Sequence, residues 1–336
     1  LQRIRMKAWE ACKLIIRSIL NSFTYGKKTT RLSEKGTEIR INPVSIAEGG
    51  FSYIYLARDA SSNKPFALKK ILCQTSEQYE QARSEINWHR KFSHRNLMPI
   101  YDWGFSNDGS SVTTALMLFP FMDNGNLRSF IDKNTLTGFI AQQTVLKMFV
   151  GLCYGVRELH SHNPQISHRD IKPENVMLSQ SNEPVLMDFG SMGNACKEIK
   201  NRSEALLLQD EASQFSTMSY RAPELFDVPS SAYIDTRTDI WSLGCVLYAL
   251  AFGYSPFECE FLGESNKPTV VECSFLRVIG PLSFPRNDKK YSPEFVKIIK
   301  WILNVDTGKR PFIGQVIERI ESLMAKKRNV FSIDQV

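Results

Sequence analysis

Hydrophobic and polar positions follow two different periods along this chain. Between Thr37 and Met122, apolar residues mostly alternate with polar ones or form short β-branched and aromatic runs, which predicts strands. From Leu127 onward, apolar residues recur at intervals of three and four, which predicts helices. A mainly β segment followed by a mainly α segment indicates an α+β fold with two lobes joined near residue 122.

The patterns predict individual elements. Strands are expected over residues 38–41, 51–57, 65–71 and 113–122, and helices over 76–89, 127–133, 142–161, 235–252, 293–303 and 313–324. A further helix is expected over 204–215, because EALLLQDEASQF is apolar at helical spacing and lacks Gly and Pro; a disordered loop is the alternative. In such a helix Leu206, Leu207 and Leu208 cannot all be exposed. The tail from Ala325 is expected to be poorly ordered.

The N-terminal arm has a basic, amphipathic pattern. Over residues 2–24, apolar residues recur at helical spacing, and most basic residues lie on the other face. Charges interrupt every apolar stretch, so the arm is not a secretory signal. Residues 25–35 are expected to form a polar linker. The first residue is Leu1, as expected of a fragment or of a sequence whose start is missing.

Charge and cysteine content narrow the function classes. The net charge of +7 is confined to residues 1–43, with ten Lys or Arg against three Asp or Glu, whereas the remaining residues hold 32 of each sign. The excess charge therefore points to a partner of the arm, and the neutral body does not favour nucleic acid. Seven scattered cysteines without a C-x-x-C pair favour reduced thiols in the cytosol. No apolar run reaches the ~18 residues of a membrane-spanning helix.

We therefore divide the chain into an arm at 1–36, a catalytic domain at 37–325 and a tail at 326–336. Within the domain, the smaller lobe is expected at 37–122 and the larger at 123–325.

Three short motifs in the second half have the order and spacing of a phosphoryl-transfer enzyme. They are SHRDIKPEN (167–175), DFG (188–190) and APE (222–224). Asp170 is expected to lie near the attacking hydroxyl and accept its proton. Asn175 and Asp188 are expected to bind Mg²⁺ as hard oxygen ligands. Lys172 can place a positive charge on the moving phosphoryl group and favours Ser/Thr acceptors.

The first half has a matching glycine-rich hairpin. Small residues there let backbone N–H groups approach phosphate oxygens. Ala47 and Ser52 stand where the pattern has glycine, so we expect a stiffer loop. The candidate ATP contacts in this hairpin are Ile46, Ala47, Glu48, Gly49, Gly50, Phe51, Ser52 and Ile54.

The strand FALK (66–69) follows at the right distance for a phosphate-binding lysine. Lys69 is expected to pair with the α/β-phosphates and with Glu85, the alternative for both residues being solvated surface charges. His89 is expected to be a packing residue.

Residues 118–122 are expected to be the hinge between the lobes. Phe119 falls at the gatekeeper position, and Pro120 is tolerated because the adenine contact there uses a carbonyl oxygen. The N–H of Met122 is the expected donor to adenine. The side chains expected to sandwich the ring are Ile54, Ala67 and Met177.

These motifs together resemble those of the protein kinase superfamily. The resemblance implies a two-lobed kinase fold and a non-specific serine/threonine protein kinase that uses ATP and Mg²⁺ and also phosphorylates itself. Thr217 matches the threonine that bridges Asp170 and Lys172 in such enzymes. Other hydroxyls of the activation segment, Ser191, Ser203, Ser213 and Ser216, are candidate phosphate acceptors.

A closer resemblance covers roughly residues 40–325. The strings EGGFSY (48–53), FGSM (189–192), LLLQD (206–210), TMSYRAPELF (217–226) and DTRTDIWSLGCVLYALAFG (235–253) are similar to those of the Numb-associated kinase family. That resemblance implies a helical activation segment, an Asp239 that anchors the catalytic loop, and an Arg310 paired with Glu224. It also implies a cytosol-facing kinase held by lipid at Golgi or other secretory-pathway membranes.

Other functions stay open beside this one. The chain could be a pseudokinase scaffold, which only Ala47 supports. It could also be a small-molecule or lipid kinase, which the peptide-binding residues Lys172, Thr217 and APE (222–224) disfavour. For the arm, we expect an anchor on an anionic membrane surface with Cys12 as an acylation site. A calmodulin-binding segment or a helix packed on the kinase body are the alternatives.

Overall fold

A computed structural model describes residues 29–49, 51–107, 112–262, 267–286 and 290–333. The helix predicted over 2–24, Cys12 and Gly50 of the hairpin lie outside these ranges. The described chain forms two compact units, of which the first ends at Asp123 and includes Asp188–Gly190. The second contains the remaining residues from Asn124 onward. The boundary after Asp123 lies one residue beyond the join that the sequence predicts near residue 122.

The described residues of the first unit form a six-stranded antiparallel sheet and one helix, α1 (Ser76–Lys91). Its strands are β1 (Thr29–Arg31), β2 (Glu38–Glu48), β3 (Ser52–Asp59), β4 (Pro65–Cys73), β5 (Asp102–Ser106) and β6 (Thr113–Pro120). They lie in the order β1-β2-β3-β4-β6-β5. One face of the sheet buries a hydrophobic cluster that includes Ile39, Phe66 and Leu118. Burial of this apolar surface stabilises the sheet.

Helix α1 begins where its sequence provides a capping box. The Thr75 hydroxyl accepts the N–H of Gln78 at 3.2 Å, and the Gln78 side chain accepts the N–H of Thr75 at 3.2 Å. The buried residues Ala82, Ile86 and His89 recur at intervals of three and four. This stripe packs the helix against β4 and β6, which fixes the side of α1 that carries Glu85.

The linker predicted over residues 25–35 is wrong from Thr29 onward. Strand β1 pairs with β2, and Leu32 is only 1% exposed in the sheet core. The carboxylate of Asp102 accepts the backbone N–H groups of Lys35 and Thr37 at 3.0 and 3.1 Å. One buried leucine and a buried carboxylate therefore hold a segment whose other residues are polar, and the sheet begins before residue 37.

The second unit is mainly helical. Its helices are α2 (Leu127–Thr137), α3 (Gln142–His160), α4 (Arg202–Phe215), α5 (Arg237–Phe252), α6 (Phe275–Val278), α7 (Pro293–Ile302) and α8 (Ile313–Ile333). Short antiparallel pairs join β7 (Ile166–Ser167) to β10 (Gly193–Asn194), β8 (Val176–Leu178) to β9 (Pro184–Leu186), and β11 (Lys197–Ile199) to β12 (Ala232–Ile234). Within the part of the chain that the structure describes, no helix is long and apolar enough to cross a membrane.

Helix α5 forms the centre of the second unit. Every residue from Thr238 to Phe252 is buried, so the helix has no polar stripe. It ends at Gly253, whose φ of +98° is a left-handed cap that glycine adopts without steric cost. The central helix gives the catalytic loop a rigid support.

A cis peptide bond precedes Pro164, in the loop that leads to β7.

Helix α4 confirms the helix predicted inside the activation segment. Its N-cap is Asn201, whose side chain accepts the N–H of Glu204 at 3.0 Å. Leu208 is 8% exposed in a cluster with Ile199, Val228 and Ile234. The neighbouring leucines, Leu206 and Leu207, are exposed, so the three leucines are not all on the surface but only one is buried.

Helix α8 is longer than predicted. It continues to Ile333, whereas a poorly ordered tail was expected from Ala325. Residues 325–333 contain neither Gly nor Pro, so nothing in the sequence stops a helix that has already started.

Candidate active site

One face of the first unit's sheet gathers five of the predicted nucleotide contacts. Ile54 pairs with both Ala47 and Lys69, and Phe119 pairs with Ala67. Directly paired residues of an antiparallel sheet lie on the same face, and residues two apart along a strand share that face. These five side chains therefore lie on the face opposite the hydrophobic cluster.

The hairpin between β2 and β3 is closed by a hydrogen bond between backbone groups. The N–H of Gly49 donates to the carbonyl oxygen of Ser52 at 2.8 Å. A Cβ on Gly49 would lie 2.9 Å from the Ser52 hydroxyl, so a larger residue there would require the Ser52 side chain to move. Ala47 pairs with Ile54 in the β2–β3 ladder, directly after a register shift between Ser45 and Ala47, and its methyl group is accommodated there. Phe51, at the tip, is 53% exposed.

Other predicted contacts take the positions expected along the chain. Ile46 and Glu48 lie in the last part of β2, and Glu48 accepts the Ser45 hydroxyl at 2.6 Å. Pro120 is the last residue of β6, and Met122 follows two residues later. In the second unit, Met177 lies in β8, where it bridges to Asn126. Their contacts with adenine stay predictions.

The Lys69 ammonium is held between two carboxylates. Its Nζ lies 2.7 Å from Glu85 Oε1 and 2.9 Å from Asp188 Oδ1. The Glu85 side chain is 4% exposed, so it is not a solvated helix charge. Burial alone would lower the pKa of Lys69, but the two carboxylates raise it well above its usual range. A fixed positive charge of this kind is suited to phosphate oxygens.

His89 is a packing residue, as predicted. Its ring stacks on Phe189 with centroids 4.0 Å apart and planes 13° apart. Its Nδ1 lies 2.9 Å from the carbonyl oxygen of Met98, and the residue is 3% exposed. The ring therefore packs against Phe189 of the DFG motif, the residue that follows Asp188.

The backbone of the catalytic loop is hydrogen-bonded to the buried carboxylate of Asp239 on α5. The N–H groups of His168 and Arg169 donate to its two oxygens at 2.8 and 2.9 Å. Burial would raise the pKa of Asp239, but the hydrogen bond from His160 at 3.0 Å and the nearby histidines lower it below its usual range. The anchoring role that the resemblance implied for Asp239 is thus visible in the geometry.

Three side chains meet around Asp170 in the second unit. Thr217 Oγ1 donates to Asp170 Oδ1 at 2.7 Å, and Lys172 Nζ lies 2.7 Å from Thr217 Oγ1 and 2.8 Å from Asp170 Oδ2. Asn175 Nδ2 donates to Asp170 Oδ2 at 3.0 Å. The arrangement fixes a carboxylate beside an ammonium and a hydroxyl, which is what proton acceptance from a nearby alcohol requires.

The residues present fit ATP and Mg²⁺. Because the Asn175 amide nitrogen donates to Asp170, the amide carbonyl oxygen is the atom left for a cation. Asp188 is a carboxylate with a 41% exposed side chain. Both are hard oxygen donors of the kind Mg²⁺ prefers. The Gly49 hairpin and Lys69 fit the phosphates.

The end of the activation segment is tied to the C-terminal helices. Arg310 Nη1 and Nη2 donate to the two carboxylate oxygens of Glu224 at 2.7 and 3.0 Å. The Arg310 side chain is fully buried, and its guanidinium stacks on the Trp241 ring at 5.0 Å. The pair implied by the resemblance is present as a bidentate, charge-assisted contact.

Sequence reasoning missed two parts of the site. His160, one of the partners of Asp239, lies in an apolar helix with no motif to mark it. Glu211 of α4 contacts Arg169 at 2.6 Å and also Lys197. The signal for an acidic partner was Arg169, the basic residue before Asp170. The sequence alone did not show which acidic residue pairs with it.

Comparison with known proteins agrees with this geometry. Residues 42–320 match the protein kinase domain. A probable serine/threonine-protein kinase of Dictyostelium discoideum is 33% identical over 357 aligned positions, covering 86% of this chain and 95% of that protein. Serine/threonine-protein kinase 16 of Rattus norvegicus and of Homo sapiens are each 36% identical, covering 83% of this chain and 88% of the relative. The chain therefore belongs to the protein kinase family, as a serine/threonine protein kinase.

Proposed function

We propose that the chain transfers the γ-phosphoryl group of Mg·ATP to serine and threonine hydroxyls of proteins, its own included, with the residues predicted from the sequence in the roles given there. The observation that carries the proposal is the contact network of Asp170, Lys172 and Thr217. When bound, Mg·ATP supplies the phosphoryl group and a cation that neutralises its charge. Asp170 accepts the proton of the substrate hydroxyl, and Lys172 stabilises the charge that develops on the transferred group.

The remaining residues hold the nucleotide. Lys69, kept charged by Glu85, contacts the phosphates, and the Gly49 hairpin covers them with backbone N–H groups. Asp188 and Asn175 each provide an oxygen ligand to Mg²⁺. Gly50 also belongs to the proposed hairpin contacts, and the Met122 N–H to the adenine contacts.

The first prediction separates an active protein kinase from a scaffold and from a small-molecule kinase. We expect Mg·ATP to raise the melting temperature, and labelled phosphate to appear on serine and threonine of the protein and of peptides, because the complete set of charged groups is present. EDTA should abolish transfer, and matched tyrosine peptides should stay unlabelled. Phosphoamino-acid analysis is the measurement. Stabilisation by Mg·ATP without any transfer would favour the scaffold.

We further propose that the chain belongs to the Numb-associated kinases, near the myristoylated and palmitoylated kinase, and works in the cytoplasm at the surface of Golgi or related membranes. The support is the sequence strings of the activation segment together with helix α4. The basic arm is the proposed membrane contact. Anionic headgroups attract Lys and Arg with ~1 kcal/mol per residue, and an apolar stripe adds to this.

The second prediction concerns the arm. Deletion of residues 1–26 leaves β1 intact and should abolish binding to phosphatidylserine vesicles while kinase activity on a soluble peptide stays within two-fold. Replacement of Lys7, Lys13 and Arg17 by Glu in the full-length chain should have the same effect. These substitutions remove the electrostatic attraction to anionic headgroups without shortening the arm. Co-sedimentation at low and high salt measures the binding, which salt should weaken.

Equal sedimentation of the intact and shortened chains would return the arm to the alternative of a helix packed on the kinase. Calcium-dependent capture of the arm by calmodulin would instead support the calmodulin-binding alternative.

A further inference from the structure

A carboxylate inside the activation segment contacts the catalytic loop. Glu211 lies in the third turn of α4, and its Oε1 accepts a hydrogen bond from Arg169 Nη1 at 2.6 Å. Its Oε2 accepts a short hydrogen bond from the ammonium of Lys197 in β11. Burial would raise the pKa of Glu211, but the two cations lower it below its usual range, so the group is a permanent anion near neutral pH.

Arg169 is held in one orientation. Its backbone has a φ of +71°, and its N–H donates to Asp239 at 2.9 Å. Its Nη2 donates to the carbonyl oxygen of Asn194 at 3.0 Å. A Cβ on Gly193 would lie 2.6 Å from the guanidinium, so the absence of a side chain there makes room for it. Glu211 therefore contacts a rigid group directly beside Asp170.

The ion pair lies in the second half of α4, where a pocket borders the inner side of the helix. The first turns are packed through Ala205 and Leu208 in the cluster with Ile234. Further along, the inner side of α4 from Leu208 to Phe215 lines a pocket, together with Arg169 and Lys197. In this half, Ala212 is buried, and Arg221 donates hydrogen bonds to Ser213 and Ser216. The charge-assisted hydrogen bonds to Glu211 add a contact with the catalytic loop itself.

The end of α4 sets the position of Thr217. The helix ends at Phe215, and the Ser216 N–H and hydroxyl both donate to the Ala212 carbonyl oxygen, at 3.1 and 2.6 Å. One residue later, the Thr217 N–H and hydroxyl donate to Asp170 Oδ1 at 3.1 and 2.7 Å. A tilt of the last turns of α4 would therefore move the hydroxyl that bridges Asp170 and Lys172.

We propose that Glu211 is a positioning residue that keeps the activation segment in its catalytic conformation without phosphorylation. In many kinases the segment is ordered by a phosphate paired with arginine. Here the chain supplies that negative charge itself, in the same kind of contact with Arg169 and Lys197. The inference rests on the proposed roles of Asp170 and Thr217, and extends them to the regulation of the site.

The third prediction tests the charge at position 211. Glu211→Gln keeps the shape and helix propensity of the side chain but removes its charge, and kcat should fall about ten-fold or more, the value of a charge-assisted hydrogen bond. The KM for ATP should stay within two-fold, because the ion-pair partners of Glu211, Arg169 and Lys197, are not among the proposed nucleotide residues. Asp210→Asn is the matched control: it removes one negative charge from the neighbouring exposed position and should leave kcat unchanged.

Two further measurements separate positioning from general stability. Hydrogen exchange should show lost protection over residues 209–217 in Glu211→Gln, with protection over α5 unchanged. Lys197→Met should also lower kcat. The double variant should lose less activity than the product of the two single effects, because both substitutions break the same contact.

Wild-type protein treated with phosphatase, and shown by mass spectrometry to carry no phosphate at residues 191–224, should keep its initial rate within two-fold. The inference is overturned if that treatment abolishes activity, or if Glu211→Gln keeps wild-type kcat. Its failure is distinguishable from failure of the proposed function, because only the latter predicts that Asp170→Asn would stay active.

Discussion

Asp170→Asn is expected to lower peptide phosphorylation by at least ~10²-fold, the low end of the effect of a general base. The variant keeps the shape of the side chain, and its one oxygen can still accept the Thr217 hydrogen bond at the Oδ1 position. Its amide nitrogen takes the Oδ2 position and cannot accept from Lys172 or Asn175. What it loses is the ability to take a proton from the substrate. Initial rates with saturating Mg·ATP and peptide are the measurement.

Nucleotide binding should survive this change. Asp170 contacts Thr217, Lys172 and Asn175, none of which is a proposed phosphate-binding residue, so stabilisation by Mg·ATP should match that of the wild type. Asp210→Asn, an identical substitution at an exposed position, is the control. Phosphorylation within a few-fold of the wild-type rate would mean that Asp170 is not the catalytic carboxylate.

Lys69→Met is expected to lower both activity and stability. Loss of the ammonium removes the contact that positions the phosphates, and turnover should fall by at least ~10²-fold. The variant also leaves Glu85 buried without the cation that lies 2.7 Å away, beside a second carboxylate at Asp188. Burial already raises the pKa of Glu85, and an uncompensated buried charge costs about 3–5 kcal/mol. Denaturant titration measures the loss of stability.

The two effects can be separated by a double variant. In Lys69→Met with Glu85→Gln, the buried charge is gone, so most of the stability should return while the activity stays low. Lys70→Met is the matched control, because the side chain of Lys70 lies on the other face of β4, over the Tyr55 ring. If the double variant is no more stable than Lys69→Met, Glu85 is not an unpaired charge in the single variant.

Much of the catalytic machinery was predictable because its chemistry dictates residue types at fixed separations. Proton acceptance, charge stabilisation and cation binding need Asp170, Lys172 and Asn175 within one short loop, and their network has the expected contacts. Helix α4 was predictable too, since its apolar residues recur at helical spacing. Local periodicity and local motifs carry this information without any knowledge of the tertiary structure.

The parts that were not predicted depend on contacts between distant residues. Strand β1 is polar in sequence and is fixed by Leu32 in the core and by the Asp102 carboxylate, 65 residues along the chain from Thr37. Glu211 looks like other acidic residues of α4, and only the folded chain shows that it, and not Asp210, faces Arg169. Tertiary position, not residue type, gives these side chains their roles.

The ion pair between Arg310 and Glu224 limits how far the expressed chain can be shortened from its C-terminal end. Glu224 closes the activation segment, yet its counter-ion comes from the connection between α7 and α8, 86 residues later. An expression fragment that stops before residue 310 would contain every catalytic motif and still leave the Glu224 carboxylate in a largely buried position without its cation. Such a fragment is a poor candidate for a minimal enzyme, and boundaries for crystallisation or display should be placed beyond α8.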